Sequence, residues 1–225
     1  MRIVRVLFCL WTASIVSASV LLAVLSGCQG AAVSDDSVVE VQLVAPEGRA
    51  IMAVASGCFW CVEEIFEAVV GVDSAVSGYA GGSVPNPTYA LVNTETTGHA
   101  ESVLVYYDPS VVSYEELVRV FYLSHDPTTP NQQGPDRGSS YRSILFHLSP
   151  REAQAAAAIT EEFNQSRFEG RVVTELKALN TFYRAEEYHQ DYVKKHPNHP
   201  YVQQVSVPRF ARFKQQYDGA LRTGE

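Results

Sequence analysis

The stretch Gly57-Cys58-Phe59-Trp60-Cys61 sets two thiols one helical turn apart. Such a pair can close a structural disulfide, supply half of a metal site, or cycle as a redox couple. A loop closed across three residues removes little entropy from the unfolded chain, so a purely structural bridge stabilises little. A zinc site needs two further ligands. His189, His196 and His199 are the candidates, but their spacing is irregular and no second cysteine pair accompanies them. The redox reading needs only the two thiols, and on spacing alone a thioredoxin-like dithiol site leads. In that reading Cys58 attacks and Cys61 resolves. Cys58 falls where a strand gives way to a helix, and the free N–H groups and positive end of that helix favour a thiolate there. Gly57 lets the backbone turn sharply and keeps bulk away from the sulfur.

The elements that must position this pair follow from periodicity. Residues 50–56 (AIMAVAS) form a short apolar run suited to a buried strand. Phe59, Val62, Ile65, Phe66 and Val69 then line one face of a helix that Gly71 ends. Residues 72–79 and 99–108 alternate as strands, the second placing Val103, Val105 and Tyr107 on one face. Ser113 with Glu116 starts a helix over about 114–124, and Ser149, Pro150 and Glu152 start another. Residues 125–140 form a long polar loop, of a length that usually carries function or lacks order. Strands are predicted over 141–148 and 171–177 and a short helix over 186–197, stopped by Pro197. This order of elements predicts a layered domain of helices on a sheet, α/β or α+β. Glu63 and Glu64 are expected on the solvated side of the first helix, and His99 and His125 are expected to be buried and hydrogen-bonded.

The chain has 225 residues, 46% hydrophobic and 19% charged, with formal net charge −8. That suits one globular domain and argues against a nucleic-acid partner. Residues 1–27 differ in kind: Arg2 and Arg5, then an apolar stretch to Leu25, then Leu-Ser-Gly-Cys at 25–28. A basic start, an apolar middle and small residues at the end describe an export signal. The Leu-Ser-Gly-Cys ending resembles a bacterial lipobox, where cleavage precedes a cysteine that is then acylated. Cys28 is therefore the expected lipidation site, giving a membrane link through the lipid alone and a location on the extracytoplasmic, or periplasmic, face of a bacterial cell envelope. Cleavage removes two positive charges and no acid, so −8 becomes −10. Cys9 leaves with the signal, and Cys58 and Cys61 remain as thiols in an oxidising compartment. The expected organisation is a signal over 1–27, a tether over 28–49, a catalytic domain over 50–205 and a tail over 206–225.

Separated motifs then carry a resemblance. GCFW (57–60), GYAGG (78–82), PNPTY (85–89), TGHAE (97–101), HDPTT (125–129), the Gly-x-Asp element in GPDRGSSYRS (134–143) and AEEYHQDY (185–192) occur in the order found in the peptide methionine sulfoxide reductase A family. They span about 51–200. The resemblance implies an α+β domain, a two-layer sandwich of a mixed sheet with packed helices in a ferredoxin-like arrangement. It implies reduction of the S epimer of methionine sulfoxide, free or in oxidised proteins, with no bound cofactor or metal. Cys58 matches the family's nucleophile and Glu101 its proton donor to the sulfoxide oxygen. Tyr89 and Tyr141 match the tyrosines that hydrogen-bond that oxygen, Asp136 the residue that orients the site, and Phe59 and Trp60 the aromatic pair that receives the substrate methyl. A neutral acid is needed to protonate the oxygen, so Glu101 is expected to be partly buried with a raised pKa.

The chain departs from many relatives at Cys61, where they carry glycine, and has no cysteine after it. Cys61 is thus the expected resolving thiol, reset by a thioredoxin-like dithiol donor, in a protein expected to act as a monomer. The competing reading is a lipid-anchored thiol–disulfide oxidoreductase acting on protein disulfides, which requires only Cys58 and Cys61.

Overall fold

The computed structural model describes residues 38–222; the expected signal segment and Cys28 lie outside them. The apolar run beginning at Ala50 forms strand β2 (Ala50–Ser56), and its lack of alternation has a direct cause. Met52 and Val54 pack into one core, while Ile51, Ala53 and Ala55 pack into a second on the opposite face of the sheet. A strand covered on both sides has no position left for polar residues.

Around it lie β1 (Val39–Glu40), β3 (Val72–Ala80), β4 (Ala100–Tyr107), β7 (Ser143–His147), β8 (Glu175–Ala178) and β9 (Phe182–Arg184). They form one sheet in the order β1-β9-β3-β4-β2-β7-β8. Only the β7–β8 pair is parallel, which makes the sheet mixed. A separate two-stranded ribbon, β5 (Gln132–Gln133) with β6 (Asp136–Arg137), projects from the polar loop. Val103, Val105 and Tyr107 of β4 share the first core, as their alternation predicts.

Helices α1 (Phe59–Glu67), α3 (Tyr114–Leu123), α4 (Pro150–Ser166) and α6 (Val207–Gln216) send apolar side chains into that first core. Ser113 and Ser149 cap α3 and α4 by accepting from the N–H groups of Glu116 and Glu152, at 3.1 and 3.2 Å. The protein thus has the α+β architecture of helices packed on a mixed sheet.

Three segments differ from their sequence-based reading. The expected tether is ordered from residue 38: β1 extends the sheet along β9, and Val41, Leu43 and Ala45 cover the second core. That face presents Ala53, Ala55, Ala80 and Ala100, too small to shield one another, so a further layer must lie over it. The expected helix over 186–197 is broken into a 3₁₀ turn (Glu187–His189) and α5 (Tyr192–Lys195), because Asp191 takes a left-handed conformation at φ 52°. The expected tail is the third. Residues Val202–Ser206 form a π-turn that runs into α6, where Arg209 and Phe213 are buried. Pro208 has no N–H to close an α-turn on Gln204, which favours the wider turn.

Candidate active site

β2 delivers the chain to Gly57, whose φ of +88° turns it into α1 with Cys58 as the N-cap. A side chain at Gly57 would meet Gln133, since a Cβ there would lie 2.5 Å from the Gln133 Cβ. Both thiols are free and buried, Cys58 at 6% and Cys61 at 1% exposure. They hydrogen-bond one another, and the two sulfurs are not equivalent. Burial, and then Cys61, raise Cys58 well above the ordinary thiol range. Cys61 is lowered to about 6, first by the hydrogen bond from Cys58 and further by Arg209 and Ser206. Its Sγ lies 3.1 Å from the Ser206 Oγ. This corrects the expectation of a resting thiolate at Cys58. In the closed, dehydrated site burial outweighs the helix end and holds Cys58 as a thiol, hydrogen-bonded to Cys61.

Glu101 on β4 sits opposite Tyr79 of β3 and is 2% exposed. Its Oε2 accepts from the Phe59 N–H at 3.0 Å, the first amide of α1. Burial, reinforced by nearby Asp136 and Cys61, raises its carboxyl to about 8, so it is mostly protonated at neutral pH. Tyr89 and Tyr141 both lie within electrostatic range of Glu101, Asp136 and Cys58, and burial raises both phenols. Tyr89 opens the short helix α2 (Tyr89–Val92), capped by Thr88. Its N–H donates to Glu186 Oε1 at 2.9 Å, and the other oxygen of Glu186 accepts from the Tyr79 hydroxyl at 2.8 Å.

Tyr141, expected at the start of a strand, instead ends a 3₁₀ turn (Ser139–Tyr141). Glu95 ties that turn down, accepting from Ser139 Oγ, the Ser140 N–H and Ser140 Oγ at 2.6 to 2.8 Å. Asp136, on β6, accepts from the Tyr201 hydroxyl at 2.5 Å, and that hydroxyl also reaches Cys58. Asp136 therefore acts on the sulfur through Tyr201. Tyr201 stands in no motif that the sequence reading singled out; its signal is its place shortly after AEEYHQDY.

Phe59 is buried against Tyr79 and His189, with ring centroids 5.9 and 4.9 Å away. Trp60 stacks on Tyr192 at 3.6 Å and donates through Nε1 to His189 Nδ1 at 3.1 Å. His189 is thus committed to the aromatic cluster, and burial lowers its pKa to about 4, keeping it neutral. His99 is buried as expected, bonded to the Gly82 N–H and the Val84 carbonyl. His125 bridges the Phe121 carbonyl and Ser143 Oγ.

Glu63 contradicts its solvated reading. It is 2% exposed, its Oε2 accepts from the Asp191 N–H, and burial raises it to about 8. Glu64 is partly buried and raised to about 7 by burial and then by Cys61. Arg209 of α6 also escaped the sequence reading. Its guanidinium donates to the Ser124 and Ser56 carbonyls at 2.8 and 2.9 Å, pinning the C-terminal helix beside Cys61.

The site thus sets a dithiol beside a carboxylic acid that is neutral at pH 7, two phenols and an aromatic wall. A proton can be given to an oxygen while a sulfur attacks the atom that bears it, which defines a thiol-dependent reductase of an oxygenated sulfur compound. Comparison with known proteins narrows the class. The sequence profile described as peptide methionine sulfoxide reductase matches residues 50–221. The peptide methionine sulfoxide reductase MsrA of Sulfolobus acidocaldarius is 45% identical over 167 residues, 74% of this chain and 94% of that protein. MsrA 1 of Rhodopirellula baltica is 40% identical over 188 residues, 84% of this chain and 96% of its own. Among solved structures, reduced Mxr1 from Saccharomyces cerevisiae superposes with a TM-score of 0.66 at 33% identity, over 70% of this chain and 94% of that one. Methionine sulfoxide reductase A of Corynebacterium diphtheriae gives 0.64 at 37% identity, over 68% and 77%. The chain belongs to the peptide methionine sulfoxide reductase family, in its MsrA branch, and is an enzyme of that class.

Proposed function

We propose that the enzyme reduces the S epimer of methionine sulfoxide, free and in proteins, through a cycle confined to Cys58 and Cys61. The observation that carries this reading is the buried Glu101, neutral at pH 7, beside the Cys58–Cys61 pair. As sulfoxide enters, the proton shared by the two thiols moves to Cys61, and the Cys58 sulfur attacks the sulfoxide sulfur. Glu101 gives its proton to the sulfoxide oxygen while Tyr89 and Tyr141 donate to the same atom. The oxygen passes to Cys58 as a sulfenic acid, methionine leaves, and the sulfoxide sulfur has gained two electrons. Cys61 then attacks the Cys58 sulfur; a disulfide forms and the hydroxyl departs with a proton as water. An external thioredoxin-like dithiol exchanges with that disulfide and restores both thiols, becoming oxidised itself. Phe59 and Trp60 hold the methyl and the soft sulfur against their rings.

We further propose the GCFWC-type recycling as this chain's route, because the described residues contain no other cysteine. Anchorage through acylated Cys28 rests on the lipobox-like ending; Cys28→Ala should move the protein from the membrane to the soluble fraction. The catalytic reading is tested by methionine release from the separate S and R sulfoxides with dithiothreitol as reductant. Release from S alone supports it. No release from either, together with active reduction of insulin disulfides, would replace it with a thiol–disulfide oxidoreductase.

A further inference from the structure

Two hollows of about 360 and 340 Å³ flank the site and share Gln133, Arg209 and Arg212 in their walls. Together they make a groove from Arg167 and Arg171 at one end to Asp136 at the other, where Tyr201 reaches Cys58. Four arginines on one groove are a local inversion in a chain of net charge −8. Two carboxyls share that lining with the four arginines and leave it positive in balance: Asp126, whose Oδ1 accepts from the Thr128 N–H and hydroxyl, and Asp136, which accepts from Tyr201.

The outer arginines are at most weakly paired. Arg209 is 6% exposed, yet its hydrogen bonds go only to the neutral oxygens of Ser124 and Ser56, and no carboxylate lies within ion-pairing distance. Its charge faces inward, toward Cys61 and Asp136, so an incoming carboxylate is left to the other three. Arg212 is exposed and has no partner among the described residues. Arg171 pairs only with Glu169, at 3.7 Å on open surface, where such a pair is weak. Arg167 donates to Gln216, again a neutral partner.

We infer that this groove is a substrate-specificity site that takes the acidic side chains flanking an oxidised methionine in an extended peptide. The inference rests on the sulfoxide reductase reading and names a substrate class within it. A carboxylate a few residues from the sulfoxide enters beside Arg212 and Arg171 while the sulfoxide occupies the pocket of Phe59, Trp60, Tyr89 and Tyr141. Free methionine sulfoxide lacks those side chains and gains nothing from the groove. The net charge of the body favours basic peptides at long range, so the groove and the body demand opposite orders of preference.

The test compares three otherwise identical peptides, with methionine sulfoxide flanked by Glu, Gln or Lys, reduced with dithiothreitol by the full chain. The Glu peptide should exceed the Gln peptide in kcat/KM by roughly two- to twentyfold for two exposed ion pairs, through KM rather than kcat. Added salt should shrink the ratio. The double variant Arg171→Glu with Arg212→Glu should abolish it while leaving turnover of free methionine sulfoxide unchanged, which also reports an intact fold. Equal rates for all three peptides, a preference for Lys, or a Glu preference that survives the double variant would overturn the inference. Fluorescence anisotropy of the same labelled peptides on Cys58→Ser reads the groove without catalysis. If free methionine sulfoxide were not reduced at all, the catalytic reading would fall while anisotropy still decided the groove.

Discussion

Replacing Glu101 by glutamine separates acid catalysis from every structural duty of that residue. The amide oxygen of glutamine can still accept from the Phe59 N–H, the bond made now at 3.0 Å, so the start of α1 keeps its anchor. It cannot transfer a proton to a sulfoxide oxygen. Burial is what makes the native residue useful: at a pKa of about 8, about nine-tenths of the carboxyl is protonated at pH 7, against about 0.3% at an ordinary carboxyl pKa. Burial therefore multiplies the active form by roughly 300 at that pH, and a positioned acid contributes about 10²- to 10⁴-fold to the step it serves. The expected loss in Glu101→Gln is of that second size. The assay is single-turnover release of methionine with enzyme in excess and no reductant, which excludes the recycling steps. In the native enzyme the rate should fall above about pH 8 as Glu101 ionises. In Glu101→Gln that descending limb should vanish along with most of the rate. A variant that kept more than about a tenth of the native rate, or kept the limb, would refute the acid role.

Three further outcomes follow from the same geometry. Glu63 and Glu101 are both raised from 4.5 to about 8 in the folded state, so over that interval the native protein holds protons that the unfolded chain has released. His189 and His125, lowered to about 4 and about 3, oppose the resulting loss of stability below about pH 6.5, so the decline belongs to pH 6.5–8, a few kcal/mol at most read from urea midpoints, and should flatten in Glu63→Gln; a slope unchanged by that substitution would contradict the burial of Glu63. Gly57→Ala should destabilise the protein by roughly 1–3 kcal/mol and slow methionine release, because φ is +88° and the new Cβ would press on Gln133; unchanged melting and activity would show that Gln133 yields freely. Ser206→Ala removes the hydroxyl 3.1 Å from Cys61 and should slow Cys58–Cys61 disulfide formation severalfold, moving its pH profile upward, with methionine release unchanged; an unaltered profile in stopped-flow would remove Ser206 from the resolving step.

What could be read in the sequence was what local chemistry determines. The strand before Gly57, the helix face from Phe59 to Phe66 and the serine caps at 113 and 149 depend on neighbours within a few positions, and the structure forms them there. Tyr89, Glu101, Asp136 and Tyr141 converge on Cys58, although nothing in their own surroundings in the chain announces it. The failures at the site are mostly long-range. Glu63 looks like any acid near the start of a helix, and only the Asp191 N–H, 128 residues on, gives it a buried partner. Arg209 and Ser206 sit in a stretch that reads as a polar tail. Their role depends on a π-turn and on carbonyls 85 and 153 residues earlier in the chain from Arg209. Tyr141 left its expected strand because Glu95 grips the preceding turn from 45 residues away. The resting charge of the thiol pair was misjudged for a related reason: the helix end is a local feature, whereas burial is set by the whole fold.

The most direct test of the two-cysteine cycle is the intact mass of the enzyme after one exposure to L-methionine (S)-sulfoxide without reductant. Native enzyme should release about one methionine per chain and become about 2 Da lighter, with Cys58 and Cys61 joined; Cys61→Ser should release the same methionine and become about 16 Da heavier, as a sulfenic acid at Cys58. Methionine release with no change in mass at Cys58, or unimpaired turnover of Cys61→Ser with a dithiol protein as donor, would contradict the account.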